Sequence, residues 1–339
     1  MKLIKTEDAV GHVLCHDMTQ IIKDQYKDAR FRKGHVVTEE DIPVLLSMGK
    51  EHLYVWEMTP GMVHENDAAE RLLALCGQEN MIRSGVKEGK IELKAACDGV
   101  FLVDSARLVA VNSQDEVMIA TRKGGTAVRE GDKLAGMRVI PLIIEEEKLR
   151  KAEQAAGDKP LLSLKPYVRK TACIVATGGE VKKGLIKDTF TPVVIDKLKT
   201  YGIETLEVVY SGDGVENVRD AVLAMREKKP DMILCTGGMS VDPDDNTPGG
   251  IKAAGANIIA YGAPVLPGAM FLLGYFDDGM PVMGLPGCVM YAGATVFDLV
   301  LPKIAADVPV TRADLAALGE GGLCLGCKPC HYPICPFGK

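Results

Sequence analysis

The sequence contains no apolar run of the roughly 18–20 residues that a membrane-spanning helix requires. The longest candidate, from Val289 to Leu301, is interrupted by the carboxylate of Asp298. The stretch MKLIKTEDAV carries Glu7 and Asp8 where a secretory signal would have its apolar centre. We therefore expect a protein of the cytoplasm that does not associate with membranes.

Positive charge is not in excess either. The chain has 40 lysines and arginines against 46 aspartates and glutamates, for a net charge of −6. This balance argues against nucleic acid as a bulk partner, although it leaves room for a local basic pocket. Hydrophobic residues make up 47% of the 339 residues, which is typical of globular proteins long enough for two or three domains.

The chain also lacks a G-x-x-x-x-G-K-[ST] phosphate loop, which argues against a standard P-loop enzyme. The stretch SGDGVEN, which begins at Ser211, resembles a dinucleotide-binding fingerprint only loosely, because its final glycine is missing. Phosphate recognition in this chain would therefore have to use other loops.

The pattern along the chain predicts four parts. Residues 1–60 are typical of a small α+β module, and residues 61–165 of a helix followed by a β-rich module and a linker. In that second part, HENDAAERLLALCGQ predicts an amphipathic helix, and LVAVN, ending at Asn112, predicts a strand. Residues 166–310 alternate strands with helices, and residues 311–339 form a cysteine-rich tail. The fold class is therefore α/β, with a parallel, helix-flanked sheet preceded by smaller α+β and β-rich modules.

Three glycine-bearing loops follow predicted strands of the α/β part: ATGGEV, TGGMSVDPDD and GLPGC. In open parallel sheets, ligands bind beyond the carboxyl ends of the strands. Backbone amides in such loops can hold phosphate or other oxyanions. Three loops at one edge indicate an anion site more strongly than any single loop does.

Acidic residues crowd the second of these loops, where Asp242, Asp244 and Asp245 lie within four positions. Carboxylates this close repel each other unless a cation or strong donors lie among them. Mg²⁺ suits them, because it binds protein oxygens and bridges to phosphates. The alternative is structural: Asp242 and Asp244 would cap a turn, and Asp245 would cap the helix after Thr247.

These residues carry a resemblance. TGGEV, then GLIKDTFTPVVIDKLKTYGIE, GDGVENVRDAV, PDMILCTGGMSVDPDDNTP, LPGAMFLLGY and PVMGLPGCVM together resemble the molybdopterin-binding domain. That domain occurs in molybdopterin molybdenumtransferases and their adenylyltransferase relatives, and the likeness covers residues 168–305. With its tail GGLCLGCKPCHYPICPFGK, the whole chain resembles a bacterial subgroup of molybdopterin-binding proteins.

The resemblance implies insertion of molybdate into adenylylated molybdopterin, with Mg²⁺ and release of AMP, in a homodimer. It implies catalytic roles for Asp245, Glu180 and Asp213, with Asp245 and Glu180 also holding Mg²⁺. The residues that it implies for binding molybdopterin are Thr177, Gly178, Gly179, Asp188, Thr236, Gly237, Gly238, Ser240, Asp242, Pro267, Gly268, Pro286, Gly287 and Cys288.

The chain departs from the family pattern at three places. Its VLPGAMF stretch, Val265–Phe271, lacks the lysines that hold molybdate, Cys288 replaces an asparagine, and an N-terminal segment that contributes across the dimer is missing. Lys182, Lys183 and Lys187 either supply the missing charge or lie on a solvated face. A non-catalytic carrier or insertion factor that docks on a molybdoenzyme is therefore an alternative. A related pyrophosphatase or adenylyltransferase for another nucleotide is a third.

The tail holds Cys324, Cys327, Cys330 and Cys335 in the pattern C-x2-C-x2-C-x4-C. Four soft ligands in a segment too short for its own core predict a metal, either Zn²⁺ or an iron–sulfur cluster. Redox or disulfide chemistry and an inert structural role remain alternatives. The other six cysteines are scattered singly, and we expect reduced thiols there.

Overall fold

The computed structural model describes residues 2–22, 26–55, 60–179, 184–240, 242 and 245–339. It divides into two compact units. The first contains residues Met1–Ala96, Val103–Gly124 and Gly131–Ser163, and the second contains Cys97–Leu102, Gly125–Glu130 and Leu164–Lys339. Among the helices in these ranges, none combines the length and the apolar character needed to cross a bilayer. The division of the chain into four parts stays a prediction.

Strands and helices are numbered along the described chain. The strands are β1 (Lys2–Lys5), β2 (Met18–Ile22), β3 (Tyr26–Phe31), β4 (His52–Val55), β5 (Met62–His64), β6 (Met81–Arg83), β7 (Ile91–Ala95), β8 (Gly99–Val103), β9 (Val117–Thr121), β10 (Thr126–Val128), β11 (Lys133–Val139), β12 (Ile143–Glu145), β13 (Leu162–Pro166), β14 (Thr171–Thr177), β15 (Glu204–Ser211), β16 (Met232–Thr236), β17 (Asn257–Tyr261), β18 (Leu272–Tyr275) and β19 (Pro281–Leu285). The α-helices are α1 (Asp41–Ser47), α2 (Glu65–Cys76), α3 (Ser105–Asn112), α4 (Glu146–Ala156), α5 (Phe190–Lys199), α6 (Val215–Glu227), α7 (Thr247–Ala253), α8 (Val296–Ala305) and α9 (Arg312–Ala317).

The first unit is built from small antiparallel sheets. Its largest sheet has the strand order β6-β7-β11-β9, and the pairs β1-β4, β2-β3 and β12-β5 accompany it. The amphipathic helix predicted after His64 is confirmed as α2, whose buried face includes Leu72 and Leu73. This face provides the apolar surface that short sheets need for stability.

The strand predicted at LVAVN is wrong, because these residues form the second half of α3. The carboxylate of Asp104 accepts a hydrogen bond from the amide of Arg107 and so caps the first turn of this helix. Only Val111 of the helix is buried, and Val109 is 65% exposed. A short apolar run does not distinguish strand from helix, and here the cap outweighs the β-branched residues.

The second unit contains a six-stranded sheet with the order β15-β14-β16-β19-β18-β17. Strands β15, β14, β16 and β19 are parallel neighbours. Strand β18 runs antiparallel to both β19 and β17, so the sheet is mixed and not wholly parallel. The α/β class is confirmed, and one reversed strand near the edge is common in sheets of this type.

Helices cover both faces of this sheet. Alternate residues of β14 point to opposite sides: Ile174 packs with α5 and α8, and Val175 packs with α6 and α7. Because both faces are buried, the central strands β14 and β16 are nearly continuous apolar runs, TACIVAT and MILCT. The core therefore has two layers, one on each side of the sheet.

Strand β14 lies between its two successors. The chain leaves β14 for β15 on one side and then crosses to β16 on the other side. This reversal creates a crevice at the carboxyl ends of β14 and β16, which is where open α/β sheets bind ligands. The loops after Thr177 and Thr236 lie at this switch point.

The apolar run that begins at Val289 is not a single element, because its helix begins only at Val296. A separate 3-10 turn spans Gly287–Met290. The helix then starts with a capping box, in which Thr295 and Asp298 satisfy each other's amides. Two start signals close together therefore divide one apolar run into two elements.

The cysteine-rich tail packs back onto the second unit. The amide of Leu266 donates to the carbonyl of Gly322, and the amide of Cys324 donates to the carbonyl of Leu266, both at 2.8 Å. Phe337 is only 3% exposed and lies in the core layer beside α8. The tail is thus an integral part of this unit.

The contact between α6 and α7 provides a test of core packing. A Cβ atom at Gly250 would lie 2.4 Å from the Cβ of Val218, so alanine there must push the helices apart. We expect Gly250→Ala to lower the unfolding free energy by about 1–3 kcal/mol. Chemical denaturation would measure it, with Lys252→Ala, an exposed change on the same helix, as the control. Equal stability of the two variants would contradict this packing.

Candidate functional site

Buried threonines tie together the two strand ends at the switch point. Thr177 is 8% exposed and Thr236 is 2% exposed. The hydroxyl of Thr177 donates to the carbonyl of Thr236 at 2.9 Å and lies 3.1 Å from the hydroxyl of Thr247. The hydroxyl of Thr247 donates to the carbonyl of Gly237 at 2.9 Å. The first turn of each loop is thereby held against its neighbour.

Only glycine fits the two positions that follow β16. Gly237 and Gly238 have φ values of 82° and 57°, in the left-handed region. A Cβ atom on Gly237 would lie 2.3 Å from the carbonyl oxygen of Thr177, and one on Gly238 would lie 2.5 Å from the hydroxyl of Thr247. The glycine pair is required by the close approach of the two strand ends.

The end of β15, which is followed by Asp213, joins the same edge. The amide of Gly179 donates to Oδ2 of Asp213 at 3.0 Å, and the amide of Gly178 donates to the carbonyl of Ser211 at 3.3 Å. The loops after β14 and β15 are thus connected, because Asp213 lies against the Thr177–Gly179 loop. Asp213 itself is exposed.

Asp245 turns back onto the glycine loop. Its Oδ2 accepts a hydrogen bond from the amide of Ser240 at 2.7 Å, and its own amide donates to the carbonyl of Asp242 at 2.9 Å. Helix α7 has Asn246 at its N-cap position and receives no side-chain cap there. Asp245 therefore does not cap α7. Its carboxylate is hydrogen-bonded to the loop that follows β16.

Tyr261 was not singled out in the sequence, yet it contacts this loop. Its hydroxyl donates to the carbonyl of Met239 at 2.9 Å. Burial raises the pKa of Tyr261, and the nearby charge of Asp245 raises it further.

Cys235, one residue before the loop, is fully buried, and burial raises its pKa to about 12. Cys235 is therefore a core thiol and not a ligand.

Several predicted residues cannot be placed. Glu180, Lys182, Lys183 and Asp244 lie outside the described residues. Lys187 is described and exposed. The catalytic and magnesium roles of Glu180 therefore stay predictions.

Asp188 lies at the start of α5. Its Oδ1 accepts hydrogen bonds from the amides of Phe190 at 2.9 Å and Thr191 at 3.0 Å. Burial works to raise the pKa of Asp188, but the hydrogen bonds from the amides of Thr191 and Phe190, with the nearby hydroxyls of Thr191 and Tyr210, outweigh it and hold the pKa low. The carboxylate therefore has a structural role, whatever else it binds.

The LPG turns lie along the same edge with different neighbours. Leu285 is in register with Thr236, so Pro286 and Gly287 leave the sheet beside the loop that follows β16. Pro267 accepts a hydrogen bond from the amide of Val296, and Gly268 packs directly against that residue. These last two support the start of α8. The half-buried Cys288 follows Gly287, and burial raises its pKa.

The tail cysteines do not form a metal site in this conformation. All four are free thiols; Cys327 and Cys330 are exposed. Across the part of the chain that the structure describes, no three His, Cys, Asp or Glu side chains converge as metal ligands. A tail metal would need a different arrangement of these thiols, and it stays a prediction.

Two known protein families match parts of this chain. A family described as a probable molybdopterin binding domain matches residues 173–306, less than half of the chain. A second family, described as a domain of unknown function (DUF8806), matches residues 3–57. The chain therefore contains a domain of the molybdopterin-binding type, and the switch-point loops lie within it.

Curated relatives match only a short part of the chain. A CinA-like protein of Mycobacterium tuberculosis (strain ATCC 25618 / H37Rv) is 33% identical over 76 residues, which are 22% of this chain and 18% of that protein. A CinA-like protein of Petrotoga mobilis is 32% identical over 76 residues, 22% of this chain and 19% of that protein. The chain thus spans about a fifth of the length of these relatives.

Solved structures also resemble part of the chain. MogA is 22% identical, covering 41% of this chain and 100% of its own, with a TM-score of 0.36. The molybdopterin biosynthesis enzyme MoaB from Thermus thermophilus is 16% identical, covering 42% and 98%, with a TM-score of 0.36. The protein CinA from Thermoplasma acidophilum is 18% identical, covering 40% and 98%, with a TM-score of 0.34.

The cap on α5 can be tested by pH. Because the pKa of Asp188 is lower in the folded protein, its charge stabilises the fold fully above about pH 4, and this contribution is lost as the pH falls through the folded pKa. We expect Asp188→Ala to cost about 1 kcal/mol at pH 7. Asp188→Asn keeps an acceptor but cannot titrate, so its stability difference from wild type should shrink below about pH 4.

Urea unfolding between pH 3 and pH 7 would measure both effects. Asp196→Asn, an exposed change on the same helix, is the control and should follow the wild-type profile. A constant difference between Asp188→Asn and wild type across this pH range would contradict the assignment.

The tail metal can be tested by composition. The four thiols predict close to one zinc ion or one iron–sulfur cluster per chain after anaerobic purification. Elemental analysis should show the metal in wild type and its loss in Cys327→Ser. Point substitutions are preferable to truncation, because removing Phe337 would open the core. Absence of metal from wild type would leave redox or structural roles for these thiols.

Proposed function

We propose that this protein acts in molybdenum cofactor synthesis, binding adenylylated molybdopterin and inserting molybdate with release of AMP. The observation that supports this most is the arrangement of Asp245 against the Gly237–Ser240 loop, at the switch point of a domain of the molybdopterin-binding type. Backbone donors and a carboxylate lie side by side there. That combination suits a substrate that carries both phosphates and a metal.

The loop residues have the chemistry to hold Mg²⁺ with an anionic substrate. Mg²⁺ is usually bound by one or two protein carboxylates, together with water and substrate phosphates. Asp245 and Asp242 are the described residues that would hold it, with Glu180 as a further candidate. When bound, it would neutralise charge on the phosphates as the anhydride is broken.

The chain's own groups then have distinct tasks. The glycine pair exposes backbone, and the hydroxyls of Thr177 and Thr247 hold the carbonyls of this turn in place at 2.9 Å. Such fixed dipoles stabilise charge without having to reorganise during the reaction. The amide of Ser240 fixes one oxygen of Asp245, which keeps the carboxylate at the loop.

A carrier or insertion factor that delivers finished cofactor to a molybdoenzyme is the second candidate. It is favoured by the stretch Val265–Phe271, which contains no lysine. Leu266 in this stretch is hydrogen-bonded to the tail at both its amide and its carbonyl. A transferase would have to bind molybdate through another cation, such as Lys187.

We further propose that the protein is a homodimer in the cytoplasm and belongs to the subgroup with the cysteine-rich tail.

The role of Asp245 separates the two candidates. With adenylylated molybdopterin, Mg²⁺ and molybdate, wild type should release AMP, and Asp245→Asn should lower that rate at least 100-fold, since a preorganised electrostatic group at the reacting phosphate is worth about this much. The fold should persist, because asparagine retains an acceptor for the amide of Ser240. Chromatographic assay of AMP at several Mg²⁺ concentrations measures the effect.

Asp277→Asn, an exposed change distant in sequence, is the matched control and should keep the wild-type rate. Unchanged AMP release by Asp245→Asn would remove this residue from the catalytic site. No AMP from wild type at any molybdate concentration, together with tight binding of the pterin, would establish the carrier instead.

A further inference from the structure

Thr247 was not among the residues that the sequence implicated, yet it is buried at the centre of the switch point. It is 1% exposed. Its hydroxyl donates to the carbonyl of Gly237 at 2.9 Å, and its amide donates to the carbonyl of Gly238 at 3.2 Å. Two consecutive carbonyls of the glycine loop are therefore held by one residue.

The preceding carbonyl is held from the same cluster. The hydroxyl of Thr177 donates to the carbonyl of Thr236, and the two threonine hydroxyls lie 3.1 Å apart. Each hydroxyl has a single proton. When both protons go to loop carbonyls, each hydroxyl has satisfied one peptide group of the loop.

The planarity of the peptide bond gives this arrangement a consequence for ligands. In a trans peptide the N–H points opposite to the C=O. Because the carbonyls of Thr236, Gly237 and Gly238 turn toward the threonine pair, the amides of Gly237, Gly238 and Met239 turn away from it. The buried hydroxyls thus set the direction of three successive amide dipoles without contacting a ligand.

Thr247 also connects this loop to the acidic segment. It lies two residues after Asp245, whose carboxylate accepts from the amide of Ser240. Ser240 is therefore tied to Asp245, and Thr247 is tied to the carbonyls of Gly237 and Gly238. A shift of Thr247 would move both the amides and the carboxylate.

We propose that Thr247 is a positioning residue, which orients the amides of the Gly237–Met239 turn and fixes the distance of Asp245 from them. The proposal rests on the proposed function, since it assumes that this turn receives the phosphates of the substrate. It adds a residue that acts through the backbone, from the buried side of the loop.

The test compares Thr247→Val with Thr247→Ser. Valine keeps the shape but removes the hydroxyl, and serine restores it. Thr171→Val is the matched control: its hydroxyl donates to Asp231 at 2.9 Å, at the opposite end of β14 from Thr177. It should cost stability without changing the switch point. Readouts are the unfolding midpoint, kcat and KM for adenylylated molybdopterin, and hydrogen exchange of the bonded amides of residues 240 and 247 relative to their intrinsic rates.

We expect kcat/KM for Thr247→Val to fall at least tenfold, with faster exchange at the amides of residues 240 and 247. Thr247→Ser should stay within about threefold of wild type, while Thr171→Val keeps wild-type kinetics and exchange at these residues. A Thr247→Val variant no worse than Thr171→Val in kcat/KM, or a serine variant as impaired as the valine one, would overturn the proposal.

The outcome also separates this proposal from the function on which it rests. If wild type releases no AMP, the transferase function fails, and positioning is judged by exchange together with pterin affinity. Faster exchange and weaker binding in Thr247→Val, both restored in Thr247→Ser, would then support it. Unchanged exchange and binding would overturn it.

Discussion

The parallel pairing of β14 with β15 on one side and β16 on the other is the constraint on which the second unit depends. Parallel neighbours require long crossovers, and these place helices on the faces of the sheet. Because the two crossovers run in opposite directions from β14, a crevice opens between the ends of β14 and β16. The close approach of these ends then demands glycine at positions 237 and 238.

Within this frame, the acidic loop is organised by backbone donors. Asp245 is held by the amide of Ser240, and Asp213 by the amide of Gly179. Each carboxylate thereby faces a fixed dipole at its own loop, which offsets part of the repulsion among the acids. The same loops present backbone to a ligand, so charge and donors share one edge.

The tail gives the chain a feature that the α/β domain alone does not need. It pairs with Leu266 and buries Phe337 against the layer that contains α8. The stretch Val265–Phe271 is thus an anchoring point for the tail. Its exposed thiols, Cys327 and Cys330, lie in a segment that the buried side chain of Phe337 anchors to the core.

Much of this architecture follows from local patterns in the sequence. Strands that are buried on both faces have nearly continuous apolar sequences, such as TACIVAT and MILCT. The glycine loops that follow them mark the edge where ligands bind. Pattern alone misjudged LVAVN, where a single capping aspartate, Asp104, decides between strand and helix. The apolar run from Val289 likewise contains two elements, because a capping box starts the helix at Val296.

What only the tertiary structure decided are relations between distant residues. The contact of Thr247 with Thr177, 70 positions apart, has no signature in either segment. The same holds for Tyr261 against the carbonyl of Met239 and for the amide of Gly179 on Asp213. The sequence by itself determined most of the elements, the glycine turns and the acids, because these depend on near neighbours. Which of them meet depended on the crossing of the chain over β14, since that crossing sets the order of the strands.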